Sequence, residues 1–413
     1  MPSKLFKPVF VLIVLTVANL CSYAQQTFNL SGQVSELNGS PLPGASIYVS
    51  GSKNATVTDN NGQFLLRLNA GEYDLIIKSI GYKTLTKKVF VKDVDLIVNV
   101  KLQEKSIALA DVTIKANPYR NKDLERFISL FIGTSPNAKF CKIKNPAVLD
   151  FVRNQNDNNL KVYASDFLII ENDALGYKLN YLLESFEYEE GAGKVSYKGS
   201  VYFEDLKGSD KAQQRWAQNR RSAYQGSPMH FFSALYKKNI DSEGFLILKL
   251  VNQTNSKRPS DSVLKANITR LLLKQQKKTG LINVNENDSL SYWLKLKSKP
   301  MYLPTLITKT VLVDTLLHKS ENELKSITSK DIMYVVYTKR DEEPGYVSTL
   351  SPEIKKNLQF TNSQLSQIKL LVDKCAFSSN GVLVDPQSVY FSGYWGWRNV
   401  ADSLPIDYIF SEK

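Results

Sequence analysis

Between Phe28 and Leu102, apolar and polar residues alternate in short runs parted by Gly-, Pro- and Asn-rich breaks, the pattern of half-buried strands in a small sandwich. Phe28, Leu30 and Val34 mark the first strand, Ala45, Ile47 and Val49 the second, and Phe64, Leu66 and Leu68 another. Residues Gly39 to Gly44 form the first bend: Pro41 and Pro43 hold φ near about −65°, and Gly44 is free to take a positive φ. Thr58 to Gly62 reads as a tight turn, because the Asp59 carboxylate can accept from amides two residues on and Gly62 can be left-handed. One carboxylate is too few oxygen ligands for a calcium loop there. Gly71 predicts a hairpin that returns through Tyr73, Leu75 and Ile77. Ile80–Tyr82, Val89–Val91 and one strand through Leu96, Val98, Val100 and Leu102 bring the count to about seven strands.

Leu109 to Ile114 forms a last short strand, and Asn117-Pro118 breaks the chain. Beyond Tyr119 the periodicity mixes. Leu124, Phe127, Ile128 and Phe131 give an amphipathic helix that stops at Gly133. Leu160 to Phe203 reads as long antiparallel strands around a Gly191–Gly193 turn, and Asp210 with Gln213 forms a capping box for a helix over 211–224 that ends at Gly226. Strands are expected near Phe245–Leu250, Ser291–Lys297, Ile307–Leu316 and Ile332–Thr338, and a helix near Thr361–Lys374. The expected architecture is an all-β sandwich over 25–116, followed over 117–413 by an α+β domain with a mostly antiparallel sheet.

The residues before the sandwich change where such a chain works. Lys4 and Lys7 precede an apolar run from Val9 to Val17, and Ser22-Tyr-Ala24 supplies small residues where a leader peptidase reads. Residues 1–24 are therefore expected to be a signal peptide cut after Ala24. The run is too short to span roughly 30 Å of hydrocarbon, and no later stretch predicts a membrane span. Leu20 stands before Cys21 where lipid attachment wants a small residue, so a lipid anchor is not expected. Export makes nucleic acid an improbable partner for a chain of net charge +13. The positive excess suits anionic envelope surfaces, or serves solubility alone.

Gly32-x-Val34, Gly39-x-Pro41-Leu-Pro-Gly-Ala45, Thr58-Asp-x-x-Gly62-x-Phe64, Gly71-x-Tyr73 and Gly81-Tyr82 together resemble the carboxypeptidase regulatory-like domain of exported Bacteroidetes-type proteins. That resemblance implies a prealbumin-like, Ig-like sandwich, non-catalytic, used as a spacer or docking unit in periplasmic and surface proteins and ahead of the plug of TonB-dependent receptors. The residues after the junction are too few for a plug and a barrel of about 22 strands, so a receptor is not expected. Phe131-x-Gly-x-Ser135, Cys141-x-Ile-x-Asn-Pro146, Ile170-Glu-Asn-x-Ala-Leu-Gly-Tyr177, Trp216-x-x-x-Arg220 and Tyr394-Trp-Gly-Trp397 are similar to the companion region of those proteins, which implies kinship and no mechanism.

Candidate chemistry is sparse. The chain has two histidines, His230 and His318. His318-Lys-Ser-Glu321 lacks the downstream histidine that a zinc carboxypeptidase requires, and Gly133-Thr-Ser-Pro-Asn137 lacks the second glycine of a nucleophile turn. Gly193-Lys194 lacks the first glycine and the Ser or Thr of a phosphate loop. No metal or cofactor is expected. Glu189 and Glu190 are adjacent on a strand and point to opposite faces, as surface charges do, although two carboxylates at the right separation would suffice for a glycosidase. Cys141 and Cys375 either form a disulfide across the second region or sit as separate buried thiols.

Two features admit a binding role. Lys211, Arg215, Trp216 and Arg220, with Lys207, Arg221 and Tyr224, make either a cationic face for phosphate or acidic sugar, or a solvated helix whose aromatics turn inward. Tyr394, Trp395 and Trp397, with Tyr390, Phe391 and Arg398, either stack on a partner or dock the tail into the core. The expected function is binding or scaffolding in the bacterial envelope, periplasmic or at the outer-membrane periphery, with an envelope protein or glycan as partner. The alternative is a carboxylate-based hydrolase of polysaccharide or peptidoglycan.

Overall fold

The structure is a computed structural model that describes residues 27–411 except 93, 106–118, 154–158, 280–288, 321–322, 351–359 and 361. The expected leader and the Leu109–Ile114 strand lie outside the described residues. The chain divides into two compact units, one of Met1–His230, Ser320–Leu324 and Arg398–Lys413, the other of Phe231–Lys319 and Lys325–Trp397. The change of pattern at residue 117 falls inside the first of them.

The first unit opens with the sandwich. Its strands are β1 (Thr27–Glu36), β2 (Ser46–Val49), β3 (Ala55–Val57), β4 (Gln63–Asn69), β5 (Gly71–Lys78), β6 (Leu85–Val91), β7 (Leu96–Ile97) and β8 (Val100–Leu102). One sheet runs β4-β1-β7 with β8 also on β1, and the facing sheet runs β3-β2-β5-β6. Leu30, Val34, Ile47, Leu66, Leu75, Val91 and Val100 meet between them, every one at an alternating position read from the sequence. The Asp59 carboxylate accepts from the amides of Asn61 and Gln63 at 2.9 and 2.8 Å, and Gly62 is left-handed, as the turn requires.

Three expectations in this region are corrected. Gly71 does not close a hairpin: β4 pairs with β1 and β5 with β2 and β6, so the chain changes sheets there. Ile80 is almost fully exposed on a bend beside the left-handed Gly81. The last strand is two, with β7 and β8 each parallel to β1.

Gly44 has φ +73° and open space where a Cβ would stand, so its requirement is purely one of backbone. Gly44→Ala in the full chain should cost roughly 1–2 kcal/mol, read as faster amide exchange across β2 and a lower denaturation midpoint. An unchanged midpoint would remove the strain assigned to the bend.

The second part of this unit is a six-stranded antiparallel sheet. It consists of β9 (Cys141–Ile143), β10 (Leu149–Arg153), β11 (Leu160–Ala164), β12 (Leu168–Asn172), β13 (Tyr177–Glu189) and β14 (Lys194–Asp205). Its order is β10-β11-β13-β12-β9, with β14 along the other side of β13. On β13 the inward residues are Tyr177, Leu179, Tyr181 and Leu183, then Phe186 and Tyr188. The register shift between Leu183 and Ser185 is a bulge that moves the buried face from odd to even positions, so both halves of the strand serve one core. Helix α1 (Arg120–Phe131) covers that face with Phe127 and Phe131, and Gly133 leaves it with φ +102°.

The sandwich is fastened to this sheet. Tyr48 stacks on Tyr202 with ring centroids 3.7 Å apart, Ile76 and Phe167 fill in beside them, and Lys78 pairs with Asp166 at 2.8 Å. The backbone of Gly51 and Ser52 hydrogen-bonds Val201 and Phe203, which covers the free edge of β14. Residues 398–411 then run across both parts as a strap. The amide of Ala401 donates to the Ile132 carbonyl at 3.0 Å, the Asn172 side chain to the Ala401 carbonyl at 2.8 Å, and the Ile406 amide to the Gly51 carbonyl at 2.7 Å. The buried Arg398–Asp402 pair, at 3.2 Å, anchors the strap, with Asn137 also donating to Asp402.

In the second unit a five-stranded antiparallel sheet is ordered β16-β15-β19-β20-β22. The strands are β15 (Phe245–Thr254), β16 (Tyr302–Ile307), β19 (Ile332–Tyr337), β20 (Gln364–Leu370) and β22 (Val389–Gly393). A smaller sheet holds β17 (Leu317–Lys319), β18 (Lys325–Ile327) and β21 (Cys375–Phe377). Phe231, Phe232 and Leu235, following His230 in the helix Pro228–Lys237, pack with Phe245, Val335, Ile368 and Phe377 in its core.

Here too the sequence reading needs correction. Ser289–Lys297 is a helix, not a strand; Thr361–Lys374 contains strand β20, not a helix; and the strand expected to reach Leu316 ends at Ile307, with a short helix at Val313–Leu316. Two antiparallel-sheet regions with helices added to their faces and connections give the α+β class for the residues after the sandwich.

Candidate functional site

The cationic face read from the sequence lies on α2 (Asp210–Tyr224). Ser209, one residue before the expected cap, accepts from the Ala212 amide at 3.4 Å, and Asp210 favours the positive end of the helix from its first turn. Trp216, Ala223 and Tyr224 turn inward. What α2 meets is the tight loop between β12 and β13. Asn172, buried, accepts from the amides of Ala174 and Leu175 at 3.1 Å, and Gly176 closes the loop with φ +69°.

The helix then takes up that loop's outward carbonyls. Trp216 Nε1 donates to Asp173 O at 2.8 Å, Asn219 Nδ2 to Ala174 O at 2.7 Å, and Arg220 Nε to Leu175 O at 2.6 Å. Arg220 also donates to the Gly176 carbonyl, pairs with Asp205 at 3.1 Å and stands 3.8 Å over the Tyr177 ring. Arg215 pairs with Asp173 at 3.1 Å. Burial pushes the Tyr177 hydroxyl pKa up, with the Arg220 charge opposing.

Arg215, Trp216 and Arg220 are thus brought together, but upon this chain's own loop. Lys207 and Lys211 remain on the exposed side. The residues missed from the sequence are Asn172, Asp173 and Asn219; an Asn four positions before a Gly in a polar break is the Asx-turn signal that marks such a loop.

The aromatic tail likewise serves the second unit's interior. Tyr394 and Trp395 are buried, and Trp397 is half-buried. Trp395 lies 5.5 Å from Phe231 and 5.6 Å from Phe391 between ring centroids, and its amide donates to Ser366 Oγ. Tyr394 and Trp397 both meet Tyr346. Tyr390 stays partly exposed.

Cys141, half-buried, and Cys375, buried, are free thiols, the second of the two arrangements that the sequence left open. Burial first, and the Asp402 charge second, push the Cys141 pKa up to about 12; burial also raises that of Cys375. A raised pKa keeps the proton on sulfur in the folded state. At pH 8 the Cys141 thiolate is then roughly one part in 10⁴, against about one in four for an ordinary thiol. Ellman's reagent at pH 8 should find both thiols nearly inert in the native protein and both reactive in denaturant. Loss of either thiol from the denatured count under non-reducing conditions would restore the disulfide.

His230 Nδ1 accepts from the Gly226 amide at 3.1 Å, and His318 Nε2 lies 2.9 Å from Thr328 Oγ1. Glu189 pairs with Lys194 at 3.4 Å, and Glu190 with Arg126 at 3.2 Å. Among the described residues no group of three or more His, Cys, Asp or Glu is placed to hold a metal ion.

Residues 30–114 match the family profile of the CarboxypepD_reg-like domain. The chain is also similar to a TonB-dependent receptor of Formosa agariphila, 34% identical over 101 residues, which is 23% of this chain and 9% of the receptor. The chain therefore spans under a tenth of that relative's length. Among solved structures it is similar to catechol 1,2-dioxygenase from Acinetobacter sp. ADP1, at 12% identity over 20% of this chain and 54% of that one, with a TM-score of 0.18. The Bacillus anthracis TIE protein stands at 18% identity, 19% and 17% coverage and a TM-score of 0.17.

Proposed function

We propose that the protein is an exported, non-enzymatic binding or scaffolding component of the bacterial envelope, periplasmic or at the outer-membrane periphery of a Gram-negative cell, whose partner is an envelope protein or glycan. The observation that carries the reading is the CarboxypepD_reg-like sandwich at residues 30–114, and the partial similarity to a TonB-dependent receptor supports it. Its attachment supports a scaffolding role: Tyr48, Lys78 and the 398–411 strap make it one compact unit with the sheet that follows. The groups nearest to catalytic chemistry support the absence of catalysis, since Glu189, Glu190, His230 and His318 are each engaged with groups of the chain itself.

Crosslinking in intact cells, followed by purification from the envelope fraction, tests this reading. The expected result is a partner in fixed ratio, crosslinked to the full chain. Recovery in the cytosol, or from the envelope with no crosslinked partner, would overturn it.

A further inference from the structure

Helices α3 (Asp261–Thr279) and α4 (Ser289–Lys297) are inserted between β15 and the edge strand β16 and pack on each other. Leu264, Leu290 and Leu296 are buried, with Ile268, Leu271 and Trp293 half-buried, outside the core that the sheet shares with Phe231 and Phe232. The opposite faces mix two kinds of side chain. Residues 257–299 carry ten Lys and Arg against three Asp and Glu, a net +7 of the chain's +13. Lys265, Lys274, Lys295, Lys297 and Lys299 are exposed, and no carboxylate among the described residues pairs with them, whereas Arg258 is held by Asp261 at 2.6 Å. Interleaved with these cations, Leu273, Tyr292 and Tyr302 are each more than half exposed, and Leu294, Met301 and Leu303 are also outside.

We propose that this hairpin, with the outer end of the β15–β16 ribbon, docks on an anionic lipid membrane surface. Both halves of the pattern require that occupant. A soluble polyanion would satisfy the lysines and leave Leu273, Tyr292 and Met301 in water, and an uncharged apolar partner would strand the lysines. A bilayer interface offers anionic headgroups beside hydrocarbon, and tyrosines favour that boundary. The inference goes beyond the envelope reading and is tested separately, since vesicle binding can fail while a crosslinked partner stands.

The test is flotation of the full chain with vesicles of phosphatidylcholine alone or with about 30% phosphatidylglycerol, whose headgroups give the surface a negative potential. Binding is expected only to the anionic vesicles and should fall steeply as salt rises. Lys265→Glu, Lys274→Glu and Lys295→Glu together should weaken it about a hundredfold or more, at roughly fivefold per positive charge removed. Leu273→Ser with Tyr292→Ser should weaken it at unchanged charge, and reversing Lys83 and Lys101 on the sandwich should not. If the triple variant melts early, protection of Lys274 and Lys295 from trypsin by anionic vesicles in the unaltered protein decides. Equal binding to neutral vesicles, absence of that protection, or competition by dextran sulfate that Leu273→Ser with Tyr292→Ser leaves unchanged would overturn the proposal.

Discussion

Replacing Gly176 with alanine should destabilise the protein by roughly 2–5 kcal/mol, combining left-handed strain with overpacking. The glycine has φ +69°, and a Cβ there would stand 2.2 Å from Trp216 Cδ2 and 2.5 Å from Cε3. The indole cannot swing clear. Gly208 closes on its far end, where a Cβ would be 2.5 Å from Cη2, and Nε1 is bonded to Asp173 O at 2.8 Å. Two other glycines separate the contributions. Gly193 has φ +61° and open space, so Gly193→Ala should cost only the backbone term of about 1–2 kcal/mol. Gly191 has open space and no positive φ, and Gly191→Ala should be nearly silent. Denaturant midpoints of the three variants give the comparison; equal losses at Gly176 and Gly193 would mean that the ring is elsewhere.

Trp395→Ala should cost ~3–5 kcal/mol, the range for emptying a large aromatic from a core. Its side chain is 4% exposed and is surrounded by Phe231, Phe391 and the β20 strand. Trp395→Phe should recover part of the loss, because some ring contacts survive. A variant that keeps its stability while losing a partner would return the aromatic tail to the role of a binding surface.

The sandwich was legible because strands such as β2, β4 and β8 bury one face only, so period-two alternation survives in the sequence between Phe28 and Leu102. What Gly71 could not reveal is whether the chain stays in its sheet: a hairpin and a crossover begin with the same break. The second unit misled for a different reason. In β20 the residues that share a face with Ile368 include Gln364 and Ser366, both buried, while Leu365 fills a second cluster on the other side with Leu248 and Val336. A central strand buried on both faces shows no alternation, and Leu365, Ile368 and Leu371 then imitate a helix. In Ser289–Lys297 the leucines and Tyr292 alternate by chance, and the real signal is Leu290, Trp293 and Leu296 at three-residue spacing.

The site readings divide in the same way. Inward aromatics on α2 and in the tail were one of the two readings that the sequence allowed, and the structure supplies the choice. That Arg220 is consumed by the carbonyls of Leu175 and Gly176 depends on a long-range meeting of α2 with a loop 45 residues earlier, which no local pattern encodes.

A protein that binds without turning anything over, as proposed above, should release no product from any candidate substrate. Purified full-length chain, incubated with polysaccharide, peptidoglycan and peptide substrates and followed by mass spectrometry, tests it most directly. No product is expected above the rate of a heat-denatured control. Turnover that disappears on replacing a single Asp or Glu, with the melting transition intact, would contradict it.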